Sequence, residues 1–151
     1  MAEDTTTATE VNVRRAVLDT NVLVAGLRSR AGDAHRVLNA VVDGRVRPIV
    51  TVPLLFEYED VLKRPGKVPL STAETDQFLK GFLLSATCVR WYPRPAPILS
   101  DADDERVFRA ALAAHRCPIV TENYRHFRPA QDEGVLILTP RQFLADLTDP
   151  P

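Results

Sequence analysis

Residues 14–21, RRAVLDTN, decide how the rest of the chain reads. Residues 15–18 are too few for a helix and aliphatic enough for a buried strand. The run ends on Asp19, followed by Thr20 and Asn21, and a second apolar set extends from Val22 to Leu27. In open α/β sheets the chemistry lies beyond the carboxyl ends of the strands, where the chain leaves the sheet. An Asp placed there is supported by rigid backbone and still faces solvent. Two roles are open to it: cap of the following helix, or functional carboxylate.

Outward from this stretch the same alternation repeats. Residues 26–33, GLRSRAGD, read as a polar loop, and Asp33 as the cap of a helix to about residue 43. Ala34, Val37, Leu38 and Val41 share one face of that helix, and Gly44 ends it. Residues 48–52 give a second strand, and Pro53 suits the first turn of a helix over 54–62. The segment 63–69, KRPGKVP, is a break. Ser71 or Thr72 caps a helix over 73–84, Ser71 with Glu74 having capping-box spacing, and Phe78, Leu79, Phe82 and Leu83 are expected inward. Residues 88–92 form a third extended run, and Pro93, Pro95 and Pro97 stiffen the loop after it. A helix then opens on Asp101, Asp103, Asp104 and Glu105 and runs to about residue 115, burying Val107, Phe108, Ala111 and Leu112. Residues 118–120 and 135–138 supply two more strands, and 142–147 a closing helix. The pattern predicts an α/β fold, a central, mostly parallel β-sheet of about five strands flanked by helices on both faces. One domain is expected over 13–148, with a disordered tail at 1–12 and a short one at 149–151.

At 151 residues the chain can bury a real core without disulfides. Apolar residues make up 45% and charged residues 26%, as in ordinary globular proteins. Cys88 and Cys117 lack metal-ligand spacing and are expected as buried thiols in a reducing compartment. MAEDTTTATE has neither the basic nor the apolar region of a signal peptide, and no apolar run approaches a membrane span, so a cytoplasmic location is expected. A net charge of –1 does not mark a nucleic-acid binder. Sixteen Arg stand against three Lys; Arg is the better planar partner for phosphate, although a composition bias gives the same count.

Carboxylates gather where the carboxyl rim of the sheet should be. Asp19 follows the first strand, Glu57 and Glu59 lie on the helix after the second, and Asp101, Asp103 and Asp104 open the helix before the fourth. Hard divalent cations take oxygen ligands, and Mg²⁺ uses a few carboxylates plus waters. Such a cation activates water and stabilises charge on a phosphoryl group. No His–Cys cluster offers a zinc alternative. The acids at 101–105 also suit a helix N-terminus on macrodipole grounds alone. Glu57 and Glu59 flank opposite sides of the Leu54/Tyr58/Val61/Leu62 stripe, so periodicity does not choose between them. Glycine-rich phosphate loops are absent. A haloacid-dehalogenase-like site would need a second Asp where Asn21 stands.

RRAVLDTNVLVAGL resembles the opening of PIN (PilT N-terminus) domains, the ribonuclease fold of VapC-type toxins. The resemblance continues through TVPLLFEYEDVLKRP, SDADDERVFRAALAAHRCPIVTENYRHF and LTPRQFLADL, in the expected order. It implies Asp19 as the first metal-site acid, Glu57 rather than Glu59 as the second through its Glu-Tyr pair, and Asp104 as the third. Asp101 matches an accessory acid. In the pattern V-T-x-[DN], Asn123 takes the fourth position and Thr121 the small hydroxyl residue two before it. Asn123 departs from a full acidic quartet and carries no charge. His126 is expected to pack the loop or touch substrate rather than ligate.

The implied activity is a Mg²⁺- or Mn²⁺-dependent endoribonuclease, a toxin whose partners are an RNA substrate and a cognate antitoxin protein, with a homodimer as a further expectation. Asp19, Asp104 and Glu57 would hold the ion, with Glu57 alternatively taking a proton from water. Asn123 and Thr121 would position water or phosphate. Arg28 and Arg30, in the loop after the first strand, and Asn21 are candidate RNA contacts. The competing expectation is a non-catalytic interaction module on the same scaffold, which Asn123 keeps open.

Overall fold

The computed structural model describes residues 13–91 and 96–148. The tails at 1–12 and 149–151, Tyr92, and Pro93 and Pro95 of the proline cluster lie outside the described residues. Five strands form one parallel sheet: β1 (Arg14–Leu18), β2 (Val46–Val50), β3 (Thr87–Cys88), β4 (Ile119–Val120) and β5 (Ile137–Leu138). Their order is β3-β2-β1-β4-β5. Seven α-helices accompany them: α1 (Thr20–Arg28), α2 (Asp33–Val42), α3 (Val52–Leu62), α4 (Thr72–Leu84), α5 (Ala102–Ala113), α6 (Arg128–Asp132) and α7 (Pro140–Thr148), with a 3₁₀ turn at Tyr124–Phe127.

The chain steps from β1 to β2 to β3 in one direction, then α5 carries it back to β4 on the other side of β1. Right-handed crossovers therefore place α2 and α5 on opposite faces of the sheet. The central strand β1 is buried along Ala16, Val17 and Leu18, as a strand covered on both faces must be. Tyr58, Phe108, Phe127 and Leu23 are the bulk of the fully buried packing around it. The reversal of strand order leaves a crevice between the carboxyl ends of β1 and β4, the place where such sheets bind ligands.

Several expectations need correction. Half of the expected loop at 26–33 is helix: α1 runs on to Arg28 and α2 begins at Asp33, leaving 29–32 as the turn. Gly26 is helical because α1 lies against α2 there, where an added Cβ would sit 2.5 Å from Leu38 Cδ1. Gly32, not Asp33, is the N-cap residue of α2, and Asp33 is its first helical residue. Leu83 is exposed, because α4 turns only Leu79 and Phe82 fully inward. Cys88 is exposed on the edge strand, whereas Cys117 is buried. The 3₁₀ turn and α6 were not expected. Ser71 does form its capping box with Glu74, and Gly44 ends α2 at φ +78. Among the described residues, no helix is long and apolar enough to cross a membrane.

Candidate active site

Asp19 leaves β1 at the crevice and occupies the N-cap position of α1, yet its carboxylate makes no capping hydrogen bond. Its Oδ2 instead accepts from Thr121 Oγ1 at 2.7 Å, across the gap to the end of β4. The strands themselves set this meeting, since Asp19 N–H donates to Val120 O at 2.9 Å. Thr121 Oγ1 in turn accepts from Asn123 N–H at 2.9 Å, which folds the chain after β4 over the rim. Asn21 Oδ1 accepts from Glu122 N–H at 3.3 Å and ties the same turn to α1. Asn21 thus braces the rim, and its carbonyl oxygen is already engaged.

Asp19 is buried, and desolvation pushes its pKa to about 6 against the lowering effect of Thr121, with the Asp104 charge adding to the rise. Asp104 sits in the first turn of α5, and burial, then Asp101, push its pKa up as well. Asp101 is the cap of α5: its Oδ1 accepts from Asp103 N–H at 2.8 Å and Asp104 N–H at 3.1 Å. It holds Asp104 in place through the backbone. His126 Nδ1 approaches Asp104 Oδ2 at 3.5 Å from an imidazole that is mostly exposed.

Glu57 is positioned by its neighbour. Tyr58 is fully buried, and its hydroxyl donates to Leu18 O, the last carbonyl of β1, at 2.5 Å. That bond pins α3 to the rim and turns Glu57 inward, where Oε2 accepts from Thr20 Oγ1 and Oε1 from Arg106 Nη1 at 3.2 Å. Burial raises the Glu57 pKa to about 7 despite both bonds, and Asp103 raises it further. Glu59 points away and pairs with Lys63 at 3.0 Å. The structure thus separates two glutamates that helical periodicity leaves equivalent. The reason is a contact of Tyr58 that no local pattern encodes.

Arg106 and Thr20 were not expected at the site. Arg106 bridges Glu57 and Asp103, and its signal in the sequence is its place three residues after Asp103. Arg28 and Arg30 are exposed, but α1 carries Arg28 about 12 Å from the rim at 1.5 Å per residue. They are not brought to the carboxylates.

Among the described residues, no three His, Cys, Asp or Glu side chains converge as a cation cage. Asp19 and Asp104 nevertheless raise the same rim's negative charge, the Asp104 charge acting on Asp19, and neither has a Lys or Arg partner among the described residues. A buried carboxylate without a cation is costly unless it is protonated or holds a metal. Mg²⁺ is bound by one or two carboxylates plus waters, so this pair fits it. Glu57 lies at the same rim, each of its carboxylate oxygens accepting one hydrogen bond, from Thr20 and from Arg106.

The model of the PIN-domain family matches residues 15–125, from the start of β1 through the turn after β4. The chain belongs to the PIN-domain family. PIN domains are typically metal-dependent nucleases, and the family generally uses divalent Mg²⁺ or Mn²⁺. The matched span includes Asp19, Glu57, Asp104, Thr121 and Asn123. A search of curated proteins gave no match.

Proposed function

We propose that this PIN domain is a Mg²⁺- or Mn²⁺-dependent endoribonuclease, the toxin component of a toxin–antitoxin pair, hydrolysing RNA phosphodiester bonds. The observation that carries the reading is the pair Asp19 and Asp104, two carboxylates at the switch point that feel each other's charge and have no Lys or Arg partner among the described residues. Asp19 and Asp104 would hold the cation. A cation held there would supply charge stabilisation at the phosphoryl group and polarise a bound water.

The chain's own groups do the rest. Thr121 fixes the Asp19 carboxylate, and Asp101 fixes the start of α5 beneath Asp104. Glu57 takes a proton from the attacking water as the new O–P bond forms in line with the departing oxygen. A pKa raised to about 7 suits that task, because the group is then both partly ionised and basic enough at neutral pH. Its accepting atom is Oε1, held only by the longer Arg106 contact. Asn123, exposed beside Thr121, orients water or phosphate through its amide.

The partner proposed is a small cognate antitoxin protein. The exposed Phe56, Leu83 and Leu84 line one groove between α3 and α4, and an apolar surface of this kind suits a protein partner. A second copy of the chain is the other occupant proposed for such a surface. The deciding experiment is incubation of the purified protein with a pool of structured RNAs, with Mg²⁺ or with EDTA. Cleavage only with metal is the expected result; no cleavage, or cleavage indifferent to EDTA, overturns the reading. Co-purification with the product of an adjacent small reading frame tests the antitoxin.

A further inference from the structure

The rim that would receive RNA is negative. Asp19, Glu57, Asp103 and Asp104 crowd it, Arg106 is already engaged by two of them, and the chain as a whole carries –1. A polyanion held against such a surface needs cations close by, and the turn after β4 supplies them.

In a 3₁₀ turn there are three residues per turn, so residues three apart lie on the same side. Tyr124–Phe127 uses this periodicity to give each side one task. Phe127 is fully buried, and the Tyr124 hydroxyl accepts from Gln131 Nε2 at 2.6 Å, so these two residues anchor the turn. His126 takes a second side and faces Asp104 at 3.5 Å. The third side carries Arg125 and continues to Arg128 at the following residue, still helical at φ –54 and ψ –44. Both arginines are exposed, and neither has an ion pair among the described residues. A rise of about 2 Å per residue spaces them roughly 6 Å apart along the turn.

We propose that Arg125 and Arg128 form a phosphate clamp that holds single-stranded RNA beside the Asp19–Asp104 pair, one or two nucleotides from the bond cut. The proposal rests on the nuclease reading above. It moves the RNA track from Arg28 and Arg30, at the far end of α1, to the turn that directly follows Asn123. The guanidinium fork matches phosphate oxygens, and both side chains reach solvent from an anchored backbone, so little order has to be gained on binding.

The test is binding of a fluorescent single-stranded RNA in EDTA, read by anisotropy over a range of salt, with steady-state cleavage in Mg²⁺ alongside. Each phosphate contact contributes about 0.7 to the slope of log K against log salt. Arg125→Ala/Arg128→Ala should therefore flatten the slope by about 1.4 and raise KM while leaving kcat near wild type. Arg125→Lys/Arg128→Lys should recover the slope. Arg14→Ala/Arg47→Ala removes two exposed charges from the amino ends of β1 and β2, opposite the rim, and should leave it unchanged. An unchanged slope in the Arg125/Arg128 variant of a protein that binds and cleaves RNA overturns the clamp alone. So does an equal flattening by Arg14/Arg47, or a loss found at Arg28/Arg30 instead. A wild-type protein that neither binds nor cleaves RNA overturns both the clamp and the nuclease reading.

Discussion

Asp19 stands at a helix cap position with its carboxylate turned to another strand, and its two readings part on that point. As a cap, Asn serves about as well as Asp, so a purely structural Asp19 predicts a nearly silent Asp19→Asn change. The site reading predicts loss of RNA cleavage, a much smaller thermal stabilisation by Mg²⁺, and an equal or higher melting temperature in EDTA. Retained cleavage with an unchanged metal response would restore the cap reading. Glu57→Gln is expected to remove most activity and Glu59→Gln to leave it near wild type; equal losses would show that Glu57 has no role that Glu59 lacks. The raised pKa values also fix a sign. Asp19 moves from 3.8 to about 6 and Glu57 from 4.5 to about 7 on folding, so the folded form binds protons more tightly than the unfolded chain. The stability they contribute is fully present below pH 4 and is lost as pH rises through 6 and 7. Metal-free protein should therefore melt higher at pH 5.5 than at pH 8, and Mg²⁺ should narrow the gap; a melting temperature that rises steadily with pH in EDTA would contradict this. That Asp19 and the acids at 101–105 stand at junctions between elements was legible in the sequence, whereas only the family resemblance singled out Asp104 among them. The Thr20 and Arg106 contacts of Glu57 were not, since they span 37 and 49 residues and follow from the fold.

At the scale of the element, the strands and the capped helices were readable from apolar runs, proline and glycine, and Ser71 with Glu74. The 3₁₀ turn and α6 escaped because residues 124–132, YRHFRPAQD, bury only one large side chain, Phe127, and show no repeating apolar face. The end of α1 was misread because Gly26 looks like a loop residue, when what it supplies is room. Gly26→Ala would place a methyl group 2.5 Å from Leu38 Cδ1 and 3.0 Å from Ala34 O. Overpacking of this kind costs about 1–3 kcal/mol, so a fall of several degrees in melting temperature is expected, with kcat retained in the protein that remains folded. An unchanged melting temperature would show that α1 and α2 separate freely. The segment leading into α5 is held by Glu105, whose Oε1 accepts from Ile98 and Leu99 N–H at 3.0 Å each while Oε2 meets Arg109 at 2.9 Å. This buried carboxylate, unlike Asp19, is satisfied entirely by the protein.

For the molecule as a whole, the proposed metal site would link folding to metal. An ion that binds only the folded rim stabilises it by mass action, about 2.7 kcal/mol at a hundredfold excess over Kd. Millimolar Mg²⁺ or Mn²⁺ should raise the melting temperature of the wild type, measured by calorimetry against EDTA, and the absence of any shift would remove the metal from the site. The α/β class and the parallel sheet were legible from the alternation of elements, but the strand order was not. That order has a consequence in time. Thr121 meets Asp19 across 102 residues of chain, because the strand beside β1 is the fourth to be made. At translation rates of about 5–20 residues per second, the first acid leaves the peptidyl-transferase centre roughly 5–20 s before its hydroxyl partner. A half-made chain therefore carries the first carboxylate for several seconds before the strand that completes the crevice around it exists.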